Sequence, residues 1–395
     1  MAWERKLLAL AVASCFAGGL AHANPTGPQV VHGRASFSTV GNTLTIANTP
    51  GTVINWQSFS IASQEITRFL QQSAASAVLN RVITATPSAI LGALQSNGRV
   101  FLINPAGITI GAGARIDTAG FVASSLNLSD ADFLAGRYRF TETPGAAPVI
   151  NQGTITTSAG GMVYLVGSSV ENHGIIRTPQ GEILLAAGKS IELVDAGTPE
   201  IRVQITAPDN QALNLGQLIA EGGRIGMYAG LIRHGGVANA NTAVVGENGK
   251  IVFKAVKDVT LEEGSLASAS GPSGGSVTVQ AETGTLLASG VVEARGTEDK
   301  GGTIRLLGDR VGLVGNAVVD ASGTSGGGTV LVGGDFQGKN PEIQNAWRTY
   351  VGPDAKIRAD AIETGDGGRV IVWADDITRF YGTISARGGA QGGDG

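Results

Sequence analysis

A short unit recurs through the second half of the chain and limits the possible folds more than any other feature. It reads Gly-Gly or Asn-Gly, one variable residue, then Ile or Val, at 222–225, 248–251, 274–277, 301–304, 327–330 and 367–370. The apolar anchors Ile225, Ile251, Val277, Ile304, Val330 and Val370 are separated by 26, 26, 27, 26 and 40 residues. The last interval reads as one unit plus an insertion of about 14 residues, holding Asp335 to Tyr350. A second pattern keeps a steady place inside the unit: VEARG at 292–296, VDASG at 319–323, ISARG at 384–388 and a weaker ASASG at 267–271. A fixed period of this length means stacked units, each too small to bury its own apolar face.

The unit is too short and too poor in helix formers for a helical solenoid. A propeller blade is larger and normally carries an antiparallel four-stranded sheet. The pattern predicts an all-β chain, a right-handed parallel β-helix, with Val, Ile, Leu and Ala stacked inward and glycine at the corners. The hand follows from the crossover rule for parallel strands. At this coil length the chain makes about 15–17 coils and a rod about 75–80 Å long.

Composition agrees. Glycine accounts for 60 of 395 residues and charged residues for 15%, while 42% are hydrophobic, which leaves too much apolar surface for a disordered chain. The formal net charge of −4 gives no footprint for nucleic acid.

Residues 1–23 read as a signal peptide. Arg5 and Lys6 are basic, Leu7 to Phe16 is apolar but too short to span a membrane, and Ala21-His22-Ala23 supplies a small-x-small cleavage pattern. A rival reading takes Val12-Ala13-Ser14-Cys15 as a lipobox with Cys15 lipidated. Cleavage after Ala23 leaves a chain with no cysteine. No later segment reaches 18 apolar residues, so no transmembrane helix is expected.

In the first half, Gln29–Ser36 reads as one strand, and Ser38–Ile46 as a hairpin with a Gly41-Asn42 turn. The hairpin is expected to cap the open edge of the solenoid. Val53–Ile61 and residues 66–84 continue as strands. Thr86-Pro87-Ser88 resembles a helix start and predicts a helical turn through Leu94. Val100–Ile103 is a strand, Asn104-Pro105-Ala106-Gly107 a turn, and Ile108 begins another strand. Ser129 is expected to cap a brief helix that ends near Gly136, with Arg137–Phe140 as a strand outside the main body. Arg81 reads as a surface residue and Asn80 as part of a buried polar stack.

Several stretches together resemble the N-terminal secretion domain of the filamentous haemagglutinin family, the large exoproteins of two-partner secretion in Gram-negative bacteria. They are VINWQSFSI (53–61), SAVLNRV (76–82), ILGALQSNGRVFLINPAGITIGAGARI (90–116) and FVASSLNLSDADFLAGRYRF (121–140). GGRVIVWADDITRFYGTISARGGAQGGDG (367–395) is similar to the repeats that follow that domain. The family's Asn-Pro-Asn-Gly-Ile motif stands here as Asn104-Pro105-Ala106-Gly107-Ile108, with Ala106 in place of the second Asn.

After the signal peptide (1–23, cleaved at Ala21-x-Ala23) the resemblance implies a two-partner-secretion β-helix domain (24–270) and continuing repeats (271–395); the chain stops at Gly-Gly-Asp-Gly, just after a repeat boundary where a strand should follow, which reads as the front part of a longer protein or a truncated reading frame. It implies export through the periplasm and a dedicated outer-membrane transporter, with folding outside the cell. Asn104, Pro105, Gly107 and Ile108 become the transporter-recognition or turn motif. Asn55, Trp56 and Asn80 become structural family residues. A cell-surface receptor or glycan is a further possible partner of the rod.

The competing classes are a polysaccharide-cleaving β-helix enzyme and the carrier stem of a contact-dependent toxin. An enzyme needs converging carboxylates, and Asp258, Glu262 and Glu263 are the densest group on a coil. Asp130 and Asp132 read as helix capping rather than metal ligands. The terminal Gly-Gly-Asp-Gly lacks the regular Asp of calcium-binding repeats. His22, His32, His173 and His234 show no metal-ligand spacing. No catalytic, cofactor or metal site is assigned.

Overall fold

A computed structural model describes residues 24–195, 201–205 and 210–395. The signal segment, with Cys15, Ala21 and Ala23, lies outside the described residues. The six glycine-anchored Val and Ile residues pair rung on rung: Ile225 with Ile251, then Val277, Ile304, Val330 and Val370. The column begins upstream of the visible repeat, through Thr52, Val78, Val100, Phe121, Val163 and Ile183. The second pattern also stacks, Ala267 on Val292, Val319, Ile357 and Ile384. With a further column of strands between them, three faces wind into a parallel β-helix. Its core is one continuous cluster from Leu44 to Ala359.

The corners follow from glycine. An added Cβ at Gly181 would stand 2.1 Å from the Gly161 carbonyl oxygen, and one at Gly223 would stand 2.1 Å from that of Gly181. The same approach recurs at Gly275, Gly302, Gly328 and Gly368. At this corner each coil's backbone rests against the one before, which leaves no space for a side chain.

Among the described residues the first column holds twelve rungs, so at about 4.8 Å per step the stack is about 53 Å long, shorter than the coil length alone predicts. Chain is spent on excursions between the strands ending at Ser124 and starting at Val149, and between those ending at Ala187 and starting at Gln211. More is spent between Val332 and Arg348. That last insertion stops before Tyr350, which sits in the body strand Arg348–Val351.

The hairpin is Ala35–Val40 against Thr43–Asn48, with Gly41 at φ +56°. Thr43–Ala47 also pairs in parallel with Ile66–Leu70, and Gln29–His32 lies antiparallel on the first strand of the column. The first coil's edge is therefore covered. Gln29–Ser36 is not one strand: Gly33, at φ +74°, breaks it.

The expected helical turn before Leu94 is also absent. Ser88–Ile90 and Ala93–Ser96 are strands, each paired in parallel. Ile90 and Leu94 are fully buried in the solenoid core. The ladder on these strands and the burial of both side chains outweigh a local capping preference.

The excursions form the larger surprise. Asn127–Leu128, Tyr138–Thr141, Ile191–Asp195 and Ile201–Ile205 make a separate antiparallel sheet. It covers the outer side of the first face, where Leu128, Phe133, Phe140 and Ile191 pack on Leu79, Phe101, Val122 and Tyr164. Phe101 meets Phe133 at 5.2 Å and Tyr138 at 5.6 Å. The strands beneath are buried on both sides, so RVFLI (99–103) reads as a nearly continuous apolar run.

Candidate functional site

The turn motif is assembled at a corner between two faces. The Gly107 N–H donates to the Asn104 carbonyl at 3.0 Å and closes the turn, with Gly107 at φ +104°. The Asn104 side chain is fully buried. Its Nδ2 donates to the Thr86 carbonyl (3.0 Å) and to Ser88 Oγ (2.9 Å), and its Oδ1 accepts from the Ala106 N–H (3.0 Å). The amide thus ties one coil to the next while shaping its own turn. The Pro105 carbonyl accepts from the Ala147 N–H (2.9 Å) and the Ile108 N–H donates to the Pro148 carbonyl (3.2 Å), locking the following coil. Ile108 is buried, and Pro105 and Ala106 are half-buried. Ala106 contributes only its backbone N–H to the bond with Asn104.

Replacing Gly107 by Ala is expected to destabilise the chain by about 2 kcal/mol. An L side chain is strained at that φ, and its Cβ would stand 3.0 Å from the Ala147 Cβ and 3.2 Å from the Pro148 oxygen. The shift in urea midpoint measures it.

Trp56 and Asn80 lie one coil apart, both fully buried. Trp56 Nε1 donates to Asn80 Oδ1 (2.9 Å), and Asn80 Nδ2 donates to the Phe101 carbonyl (3.2 Å). Trp56 also meets Phe37 of the cap edge-on at 5.8 Å and Phe59 at 5.6 Å. Asn80 is therefore what lets an indole N–H sit in the core under the cap. Asn55 is half-buried, and its Oδ1 has no hydrogen-bond partner.

Arg81 is not a simple surface cover. Its guanidinium donates to the Leu128 carbonyl (2.7 Å) and to Asp130 Oδ1 (2.6 Å), pinning the outer sheet to the second coil. Ser129 caps the helix Asp130–Leu134, accepting from the Asp132 N–H and donating to Asp132 Oδ2 at 2.8 Å. That hydrogen bond, aided by Arg137, holds the Asp132 carboxyl below its usual range.

A buried polar ladder escaped the sequence reading. Asn151, Asn172, Asn214 and His234 occupy successive rungs of an otherwise apolar column, all fully buried. Asn151 Nδ2 donates to Asn172 Oδ1 (2.7 Å), and Asn172 Nδ2 to Asn214 Oδ1 (2.8 Å). Asn214 Nδ2 donates to His234 Nδ1 (3.1 Å), and His234 Nε2 faces the Leu266 carbonyl (3.0 Å). Every bond runs in one direction when His234 is neutral with its proton on Nε2. The Phe253 ring lies 5.1 Å from the imidazole. Burial pushes the His234 pKa down to about 4. The available signal was Asn-x-Gly at 151, 172 and 214, followed by His-Gly-Gly at 234.

The carboxylates considered for catalysis do not converge. Asp258 Oδ1 accepts the Thr285 N–H (2.7 Å), and Glu262 pairs with Arg233. Among the described residues no group of three or more His, Cys, Asp or Glu could hold a metal ion, and no helix is long and apolar enough to cross a membrane.

Residues 21–270 match the model of the TPS secretion domain. The HMW1 secretion domain from Haemophilus influenzae has a similar structure: 37% identity, TM-score 0.76, over 94% of this chain and 91% of that one. Two heme/hemopexin-binding proteins of Haemophilus influenzae are similar in sequence. One is 36% identical over 172 residues, 42% of this chain and 19% of that protein. The other is 29% identical over 158 residues, 38% and 17% of the two lengths. The chain spans less than a fifth of those curated relatives.

Proposed function

The chain belongs to the TPS secretion domain family, and from that membership we propose that residues 24–270 direct its export through a dedicated outer-membrane transporter, whose periplasmic domains receive it unfolded. It carries the secretion domain of a two-partner-secretion exoprotein. We assign 271–395 to the rod that follows. The observation that carries the reading of the site is burial. Asn104, Trp56 and Asn80 have no exposed surface once the coils close. A transporter that reads these residues reads them before folding, and their work afterwards is to set the first coils.

Folding outside the cell gives the process direction. Each added coil buries apolar surface at about 25 cal/mol per Å² and covers the previous open edge. The cap closes the starting end, so coils add in one sense only. The rod presents an adhesive surface to a cell-surface receptor in this reading, and the carboxylates weighed for polysaccharide cleavage are engaged apart from one another.

The test is secretion of the chain from a Gram-negative host with and without its transporter. The product is expected in the medium only when the transporter is present, with its N-terminus at Asn24 after cleavage behind Ala23. Retention in the cell under both conditions overturns the export reading. Asn104→Ala is expected to lower export and the urea midpoint together. Lost export with an unchanged midpoint would instead assign Asn104 to direct contact with the transporter.

A further inference from the structure

On the second face of the solenoid, far from the motifs above, a groove of about 320 Å³ crosses four rungs. Two outward rows line it: Arg310 beside Arg348, and Leu287, Gly312, Tyr350 and Arg379 in succession. Gly312 makes the notch: a Cβ there would already stand 3.0 Å from Leu287 Cδ1. Leu287 and Tyr350 remain 40% and 39% exposed on either side, leaving a hydrocarbon floor with an aromatic wall.

The rim is cationic on a chain of net charge −4. Arg348 is paired with Asp376 (3.1 Å), whereas among the described residues Arg310 meets only its neighbour Asp309, at 3.9 Å. The Arg379 side chain has no ion pair or hydrogen bond among the described residues.

We propose that this groove binds an acidic saccharide, a sugar ring seated in the Gly312 notch against Tyr350 with its carboxylate or sulfate on Arg379 and Arg310. Apolar C–H faces of a pyranose suit the Leu287 and Tyr350 surfaces, and the guanidinium fork suits an oxyanion. Arg310 and Arg379 stand two rungs apart, about 10 Å at the strand spacing, a gap that the two long side chains close by reaching toward one anion. A peptide strand fits less well. The strand Arg348–Val351 is already paired on both sides, so no free edge offers backbone hydrogen bonds. Nucleic acid needs a longer row of unpaired cations than this face provides.

Binding of the purified chain to polygalacturonate and to chondroitin sulfate, with dextran and polyglutamate as controls, tests the proposal. At least one acidic polysaccharide is expected to bind, dextran not at all, and polyglutamate much more weakly. Arg379→Gln and Tyr350→Ala should each weaken binding about tenfold, the loss of one charge-assisted or stacking contact. Gly312→Leu should abolish it by filling the notch. Unchanged circular dichroism and thermal midpoint identify folded variants, and Arg379→Gln, which is exposed, serves if Gly312→Leu does not fold. No binding to either acidic polysaccharide overturns the proposal. So does equal binding of polyglutamate, or binding indifferent to Arg379 and Tyr350.

Discussion

Between pH 6.5 and pH 4 the chain is expected to lose about 3 kcal/mol of stability through His234 alone. An unfolded histidine takes up a proton as pH falls through 6.5, whereas burial keeps the folded imidazole neutral until about pH 4. In that window the unfolded state binds the extra proton, so the equilibrium moves toward it. The contribution is fully present above pH 6.5 and fully lost below about pH 4. Protonation also reverses the ladder's end, because Nδ1 would then point a donor at the Asn214 Nδ2 donor. The surrounding groups offer little relief: the Phe253 ring, the Leu266 carbonyl, and Glu262, which is engaged with Arg233.

His234→Asn replaces the imidazole with a side chain that does not titrate here and whose oxygen can still accept from Asn214. Urea unfolding of the two chains across this range is expected to show a steep slope for the native chain and a shallow one for the variant. Equal slopes would place the acid sensitivity elsewhere. Asp132, Asp299, Asp335 and Asp360 also have lowered pKa values. As depressed carboxylates, they lose their contribution as pH falls below the usual carboxylate value of 3.8, mostly beneath the His234 window.

Breaking the ladder in its middle is expected to cost at least as much. Asn172→Leu removes the acceptor of Asn151 Nδ2 and the donor to Asn214 Oδ1 at once. Two buried polar groups lose their partners at about 1–3 kcal/mol each, for a total of about 4 kcal/mol. Leu is the informative substitution because it restores apolar volume, so the loss reports the unsatisfied amides rather than a cavity. Hydrogen exchange should place the weakening in the strands Val149–Asn151, Val170–Asn172 and Gln211–Asn214. A loss below about 1 kcal/mol would mean that the amides find other partners.

Both predictions concern residues that sequence reading left unassigned. His234 is one of four histidines, and nothing local marks it as buried. Its place follows from pairing with Asn214, twenty residues earlier, and with Leu261, farther along the same column. Asn104 illustrates the opposite case. Its turn was legible from Pro105 and Gly107, but its burial was not, because that depends on Thr86 and Ser88 from the preceding coil. The strands at 88–96 replace the expected helical turn for the same reason: a capping signal is local, whereas the ladder that overrides it joins different coils.

The period, the apolar columns, the glycine corners, the hairpin and the short capped helix are legible in the residues alone. Each is a pattern of neighbours or a strict repeat, and stacking identical units converts a repeat directly into contacts. The outer sheet, the Arg81 clamp, the direction of the asparagine ladder and the burial of the turn motif emerge only once the coils are assembled. These join segments whose separation follows no period, as when Tyr138–Phe140 pairs with Ile191–Leu193. Such pairs form because the apolar side of an already folded face needs cover, a requirement that exists only after the coils are in place.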